Sequence, residues 1–130
     1  MKNNNMELPD IICMSFGYKH GIPTDTDYVF DVRCFPNPFY VEELKNMTGL
    51  DDEAREYVFS SDEANGFLEK LFDMIDYSLN LFAKKERKQL TISIGCTGGK
   101  HRSVAVTEAL SSHLKAKGLN VTTVHRDIEK

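Results

Sequence analysis

Short apolar runs alternate along the chain with stretches in which apolar residues recur every three or four positions. Residues 11–16 form a compact apolar run that stops at Gly17, the pattern of a buried strand. Residues 28–35 (YVFDVRCF) alternate and are rich in β-formers. They read as a second strand closed by Pro36 and Pro38, because proline cannot donate to a ladder. Residues 90–94 (LTISI) and 121–124 give two more strands. Residues 39–59 read as short helical pieces broken at Gly49. The strongest helical signal covers 60–87, where Leu68, Leu71, Phe72, Ile75, Leu79 and Phe82 form one apolar stripe. Ser60 and Glu63 fit a capping box at its start, and Lys84, Lys85 and Arg87 suit the negative end of its dipole. Residues 103–117 form another helix, with Val104, Ala105, Leu110 and Leu114 as its core face and Gly118 where a left-handed cap belongs.

Strand 90–94, the helix after it and strand 121–124 make a βαβ crossover, expected to be right-handed. The expected fold is a single α/β domain with a mixed or mainly parallel sheet of about four strands, flanking helices and a ligand loop at a strand-to-helix turn. The length of 130 residues suits one core. Residues 1–9, with Asn3 to Asn5, read as a disordered lead-in and residues 10–130 as the domain. No repeat or low-complexity tract is visible.

Composition narrows the function classes. The net charge of −4 and pI near 5.5 argue against a whole-molecule basic footprint for nucleic acid, while leaving room for a local patch. No apolar run approaches the roughly 18 residues of a membrane span, and the start MKNNNMELPD has no signal-peptide core. No membrane partner is expected. Cys13, Cys34 and Cys96 are odd in number and far apart, without CxxC or zinc spacing. Free thiols in a reducing cytoplasm are the simplest account, and no metal or other cofactor is expected.

The chemistry concentrates in IGCTGGKHRSVAV, residues 94–106. It follows the carboxyl end of a strand and opens a helix, where open α/β sheets place ligands. Gly95, Gly98 and Gly99 let the backbone turn tightly. The first N–H groups of the helix have no internal partners, and its dipole adds positive charge. Cys96, Thr97, Lys100, His101, Arg102 and Ser103 complete a phosphate nest, with Arg102 able to offer a bidentate fork. The loop is neither Walker A nor GxGxxG, so ATP and dinucleotides are not implied. A second reading stands beside the first. CxxGxxRS is the pattern of cysteine-dependent phosphatases, in which a thiolate, here Cys96, attacks phosphorus while Arg102 and the loop amides hold it. Gly95 stands where those enzymes typically have histidine. Their general acid has four candidates, Asp25, Asp27, Asp31 and Asp127, with none singled out.

Other residues have two readings each. His20, in the polar loop 17–26, either faces water or meets the 95–102 loop across the sheet edge. Asp31 and Arg33 either line that edge or pair with each other. Asn37, between two prolines, either fixes a turn or contacts ligand. The run Lys84, Lys85, Arg87, Lys88 reads as a solvated helix end.

Several stretches together resemble one known family. SFGYKHGIPTDTDYVFDVR (15–33), PNPF (36–39), TGLD (48–51), LTISIGCTGGKHRSVAV (90–106) and HRDIEK (125–130) look like the C-terminal domain of the RapZ family, once catalogued as P-loop-containing nucleotide-binding proteins. The resemblance covers residues 15–130. It implies a domain akin to a sugar-phosphate-binding portion of phosphofructokinase, which senses glucosamine-6-phosphate and binds small regulatory RNA for presentation to an RNase. It also implies a ligand pocket made by Cys96 to Ser103 together with His20. Oligomers are common in the family, so a homo-oligomer is a possible state. Three departures bear on this. The family's kinase-like N-terminal half and its GxxxxGK[ST] motif are not in this sequence, so no ATP or GTP hydrolysis is expected. The sequence ends at Lys130, before the basic tail of enteric members. Leu119 stands where a basic residue is usual. Sugar-phosphate sensing by a non-enzymatic module is therefore expected to carry over better than RNA binding, whose affinity rests on phosphate neutralisation.

Overall fold

The computed structural model describes residues 7–130, and the Asn3 to Asn5 lead-in lies outside the described residues. Four strands, β1 (Asp10–Gly17), β2 (Tyr28–Asp31), β3 (Gln89–Cys96) and β4 (Val121–His125), form one sheet in the order β2-β3-β1-β4. Every pairing is parallel. One face of the central strands, carrying Ile11, Cys13, Leu90, Ile92 and Ile94, is buried, whereas Ile12, Met14 and Thr91 on the other face are half-buried. Alternating burial follows from the two-residue period of a strand. The domain has three helices, α1 (Asp52–Val58), α2 (Asp62–Lys84) and α3 (Arg102–Lys115), and α2 and α3 both pack on the buried face. The α2 stripe lies inward, with Leu71, Ile75 and Leu79 buried and Leu68, Phe72 and Phe82 at its margin. Val104, Ala105, Leu110 and Leu114 of α3 are fully buried.

The expected β3–α3–β4 crossover is present, with β1 lying between its two parallel strands. The structure differs from the sequence expectations at three places. The second strand ends at Asp31 rather than residue 35. Val32 donates to the Gly95 carbonyl and Phe35 N donates back to the Val32 carbonyl at 3.1 Å, which turns the chain. Val32 and Phe35 are buried within that turn, so the apolar alternation reflects core packing and not strand. Helix α2 is capped by Ser61, whose Oγ accepts from Ala64 N at 3.1 Å. Ser60 instead donates its hydroxyl to the Tyr57 carbonyl at the end of α1, so the expected capping box is absent. At its other end α2 stops at Lys84, because Glu86 turns left-handed with φ of 60°. Gly118 matches expectation: its φ is 87°, its N–H bonds the Lys115 carbonyl, and Leu119 N reaches back to Leu114, the two bonds of a Schellman end.

Candidate anion-binding site

Parallel pairing brings the carboxyl ends of all four strands to one edge. The chain leaves β1 toward β2 and leaves β3 toward β4, in opposite directions along the sheet. Open parallel α/β sheets bind ligands at this carboxyl edge. The loops that follow these strands are stitched together there. Lys19 N donates to the Thr97 carbonyl at 3.2 Å. A β-carbon on Gly17 would lie 2.5 Å from the Gly98 carbonyl carbon, and one on Gly99, whose φ is 81°, would lie 2.7 Å from Gly17 N. From the other side Gly49, in the TGLD turn, donates to the Lys100 carbonyl at 2.8 Å and sits flush against the start of α3.

This packing uses the loop's carbonyls and leaves its amides open. Thr97, Lys100 and His101 each accept a backbone bond through their carbonyls. Among the described residues, no backbone N–H from Thr97 to Val104 donates a hydrogen bond. Helix α3 also has no side-chain cap, since His101 occupies that position without bonding to the first turn. A consecutive run of free amides at a helix N-terminus is an anion nest.

The nest opens on a cleft of about 390 Å³. Cys96, Thr97, Gly98, Lys100, His101 and Arg102 form one wall. Lys19 arrives from the turn after β1, and Lys130 from the turn after β4. Asn37, Phe39, Tyr40, Lys45 and Asn46 come from the segment between β2 and α1. Five of these side chains are Lys or Arg, and none is a carboxylate. A molecule of net charge −4 thus carries a locally cationic cleft. A larger hollow of about 990 Å³ lies at the opposite edge, near the amino ends of β1, β3 and β4. It shares no residue with the nest, and it mixes Lys84, Lys88 and Lys117 with Glu7, Asp10 and Glu86. The basic run at the end of α2 belongs there, with Arg87 paired to Asp27 at 2.7 Å.

Individual side chains take distinct positions. Arg102 is buried, with one terminal nitrogen on the Arg33 carbonyl, the other 3.5 Å from Thr97 Oγ1, and its buried Nε unpartnered. His101 is 7% exposed, and its Nε2 has no partner. Burial first, then Arg102 and Lys100, pushes its pKa below the usual 6.5 against an opposite pull from the Met47 and Lys45 backbone. Cys96 faces the cleft floor and donates its thiol to Ser103 Oγ at 3.1 Å. Ser103 is fully buried behind it and Gly99 packs against Gly17, so neither lines the cleft. Arg33 grips Asp31 at 2.7 Å and stacks over the Tyr18 ring, so its side chain serves that pair while its carbonyl orients Arg102. Asn37 both lines the cleft and caps the turn after it, accepting from Phe39 N at 3.1 Å. His20 does not line the cleft. Its Nε2 is buried without a partner, and its backbone carbonyl accepts from Arg126 at 3.4 Å.

The CxxGxxRS arrangement is kept, with Cys96 and Arg102 on one cleft wall and Ser103 Oγ on the thiol, but two companions of a cysteine phosphatase are not beside it. A β-carbon at Gly95 would collide with the Phe16 ring and come within 2.7 Å of the Tyr18 ring, so histidine does not fit there. None of Asp25, Asp27, Asp31 and Asp127 lines the cleft. Asp127 is fully buried behind Gly99, bonded to Gly17 N at 2.8 Å, Arg126 at 2.8 Å and Lys130 at 2.9 Å. Burial pushes its carboxyl up, but Arg126, the Gly17 amide and Lys130 together hold it well below the usual carboxylate range.

Sequence reasoning missed Lys19, Phe39, Tyr40, Lys45, Asn46 and Lys130 as cleft residues. Lys19 sits inside GYKHG and Lys130 inside HRDIEK, so those motifs carried a signal. Phe39 and Tyr40 are adjacent aromatics framed by PNP, a cue for display. Lys45 and Asn46 carry no local cue.

Fold and cleft define the class: a parallel α/β domain with a candidate anion cleft at the carboxyl edge of its sheet. The chain belongs to the RapZ C-terminal domain family, whose profile matches residues 9–129. It is similar to a nucleotide-binding protein of Finegoldia magna, 52% identical over 117 residues that cover 90% of this chain and 41% of that protein. A nucleotide-binding protein of Caldicellulosiruptor bescii is 53% identical over 130 residues, all of this chain and 45% of its own length. One from a Thermoanaerobacter species is 55% identical over 115 residues, 88% of this chain and 40% of the relative. The chain thus spans about two fifths of the length of these curated relatives. Among the described residues, no helix is long and apolar enough to cross a membrane.

Proposed function

We propose that this domain binds a phosphorylated amino sugar, glucosamine-6-phosphate, and acts as a sensor without turning it over. The observation that carries the reading is the run of free amides from Thr97 to Val104, with Thr97, Gly98, Lys100, His101 and Arg102 lining a cleft that has five cationic side chains and no carboxylate side chain. The amides and Lys100 hold the phosphate, with Arg102 at its flank. His101 sits where phosphate and sugar hydroxyls meet. Asn46 offers an uncommitted amide oxygen to the sugar's amine. A cleft without a carboxylate lacks an aspartate or glutamate acid for a leaving group, which supports binding without chemistry. The sensor acts through an RNA or protein partner, and the lysines at the rim supply the charge an RNA backbone would need.

Isothermal titration with glucosamine-6-phosphate, glucose-6-phosphate and inorganic phosphate tests the reading. The amino sugar phosphate is expected to bind most tightly. Lys100→Ala and Arg102→Lys should each weaken binding by about 10-fold, the worth of one charge-assisted contact. Cys96→Ser should bind as the parent does. The phosphatase reading has in its favour the Cys96 thiol on the cleft floor, with Arg102 on the same wall and Ser103 Oγ accepting from the thiol. It predicts a burst of released phosphate that Cys96→Ser abolishes.

A further inference from the structure

An amide nest and its cations hold any phosphate alike, so selectivity has to come from the surface that touches what the phosphate carries. The cleft has such a surface on the side away from the nest. Asn37 Oδ1 accepts from Phe39 N, and Pro38 is buried at the start of the 3-10 turn Pro38–Tyr40. This locks a short, stiff turn that presents two aromatic rings. Phe39 is 52% exposed and Tyr40 81%, the most open of the large apolar side chains described. The rings stand edge to face at 5.5 Å, with the Lys45 ammonium 5.6 Å from the centre of Phe39. Both rings line the cleft that holds the nest. A ring that neither packs on the core nor pairs across an element contributes little to stability, yet here a capped turn sets it at the cleft that holds the phosphate donors. At about 390 Å³ the cleft also has room for more than a phosphate.

We propose that Tyr40 is a specificity-determining residue of this cleft: it stacks on the C–H face of a six-membered sugar ring whose phosphate sits in the nest, with Phe39 as its buttress. The electron-rich face of an aromatic ring attracts the polarised C–H groups of a sugar, as it attracts the positive edge of another ring. A proline-framed turn presents that face with little entropy left to lose on binding. The inference rests on the sugar-phosphate reading and adds the group that distinguishes the sugar from its phosphate.

The test titrates the protein, Tyr40→Ala and Tyr40→Phe with glucosamine-6-phosphate, inorganic phosphate and adenosine 5′-monophosphate. Tyr40 is open to solvent, so the variants keep the fold. Tyr40→Ala is expected to weaken the hexose phosphate roughly fivefold to tenfold and to leave inorganic phosphate unchanged, and Tyr40→Phe to restore the hexose phosphate. Equal effects of Tyr40→Ala on both ligands, or on neither, overturn the proposal. Tighter, Tyr40-dependent binding of the nucleotide overturns the sugar as occupant in favour of a base. Failure of the parent protein to prefer the hexose phosphate overturns the sugar-phosphate reading itself, and shows in the parent titration alone.

Discussion

His101 joins burial, a titratable ring and a place on the cleft wall. Its Nε2 is buried without a partner, and the charges beside it in the loop, Lys100 and Arg102, are both positive. The cleft's other charged side chains, Lys19, Lys45 and Lys130, are also positive. Burial, then Arg102 and Lys100, outweigh the opposite pull of the Met47 and Lys45 backbone, so the folded pKa lies below 6.5 and the ring is neutral at pH 7. In the ligand-free protein that depression costs stability in acid: the contribution is present above about 6.5 and fades as the pH falls through the folded value. A phosphate dianion in the nest supplies the missing opposite charge and raises the same pKa, so binding should draw a proton onto the ring. Titrations between pH 7.5 and 5.5 are therefore expected to show proton uptake in the parent protein that His101→Gln lacks. The second ionisation of the ligand phosphate, near pH 6, is common to both proteins and cancels in the difference. Parallel curves would mean that His101 stays neutral with ligand bound.

Element ends are where periodicity stops being informative. Helix α2 is the clearest case. Its stripe from Leu68 to Phe82 is plain in the sequence and is buried as expected, yet both of its ends fall elsewhere. At the start two serines stand side by side. Ser60, favoured by Glu63 three residues on, is claimed by the last turn of α1, and Ser61 caps instead. At the finish the chain turns left-handed at Glu86, a residue with a β-carbon, so no glycine marked the stop. Lys85 and Arg87 both reach back to the Phe82 carbonyl around it. A non-glycine residue in this region costs about 1–2 kcal/mol, partly offset by the greater chain entropy of glycine when unfolded. Glu86→Gly is thus expected to stabilise the protein by about 1 kcal/mol. Chemical denaturation checks it: the midpoint should rise with an unchanged slope. The second strand teaches the same lesson, since Val32 and Phe35 alternate like strand residues while packing a turn into the core.

At the scale of the whole molecule, the contiguous part of the candidate site was legible and the assembled part was not. Cys96 to Arg102 announce themselves because they are adjacent, and glycine spacing says what the backbone does there. Lys19, Lys45 and Lys130 join them only through the sheet, from three separate connections, and a net charge of −4 conceals the cluster. The same topology explains Asp127. It lies just beyond β4 but satisfies the Gly17 amide at the end of β1, and the β-carbon position of Gly99 lies 2.9 Å from its own Cβ. One buried carboxylate therefore ties the chain's last turn to both loops of the cleft. Its folded pKa is depressed, so its contribution to stability is complete above about 3.9 and is lost as the pH falls through the folded value. Asp127→Asn removes that charge and leaves Arg126 and Lys130 facing an amide. Both partners reach solvent, so the loss at pH 7 is expected to be about 2 kcal/mol, below the 3–5 kcal/mol of a fully buried pair. Melting temperatures taken from pH 7 to pH 2 should show the parent falling steeply below pH 4 and the variant, lower at neutral pH, falling less. The parent's advantage should close as the carboxyl takes up its proton. A constant gap across that range would assign the loss to packing beneath Gly99 and not to the charge.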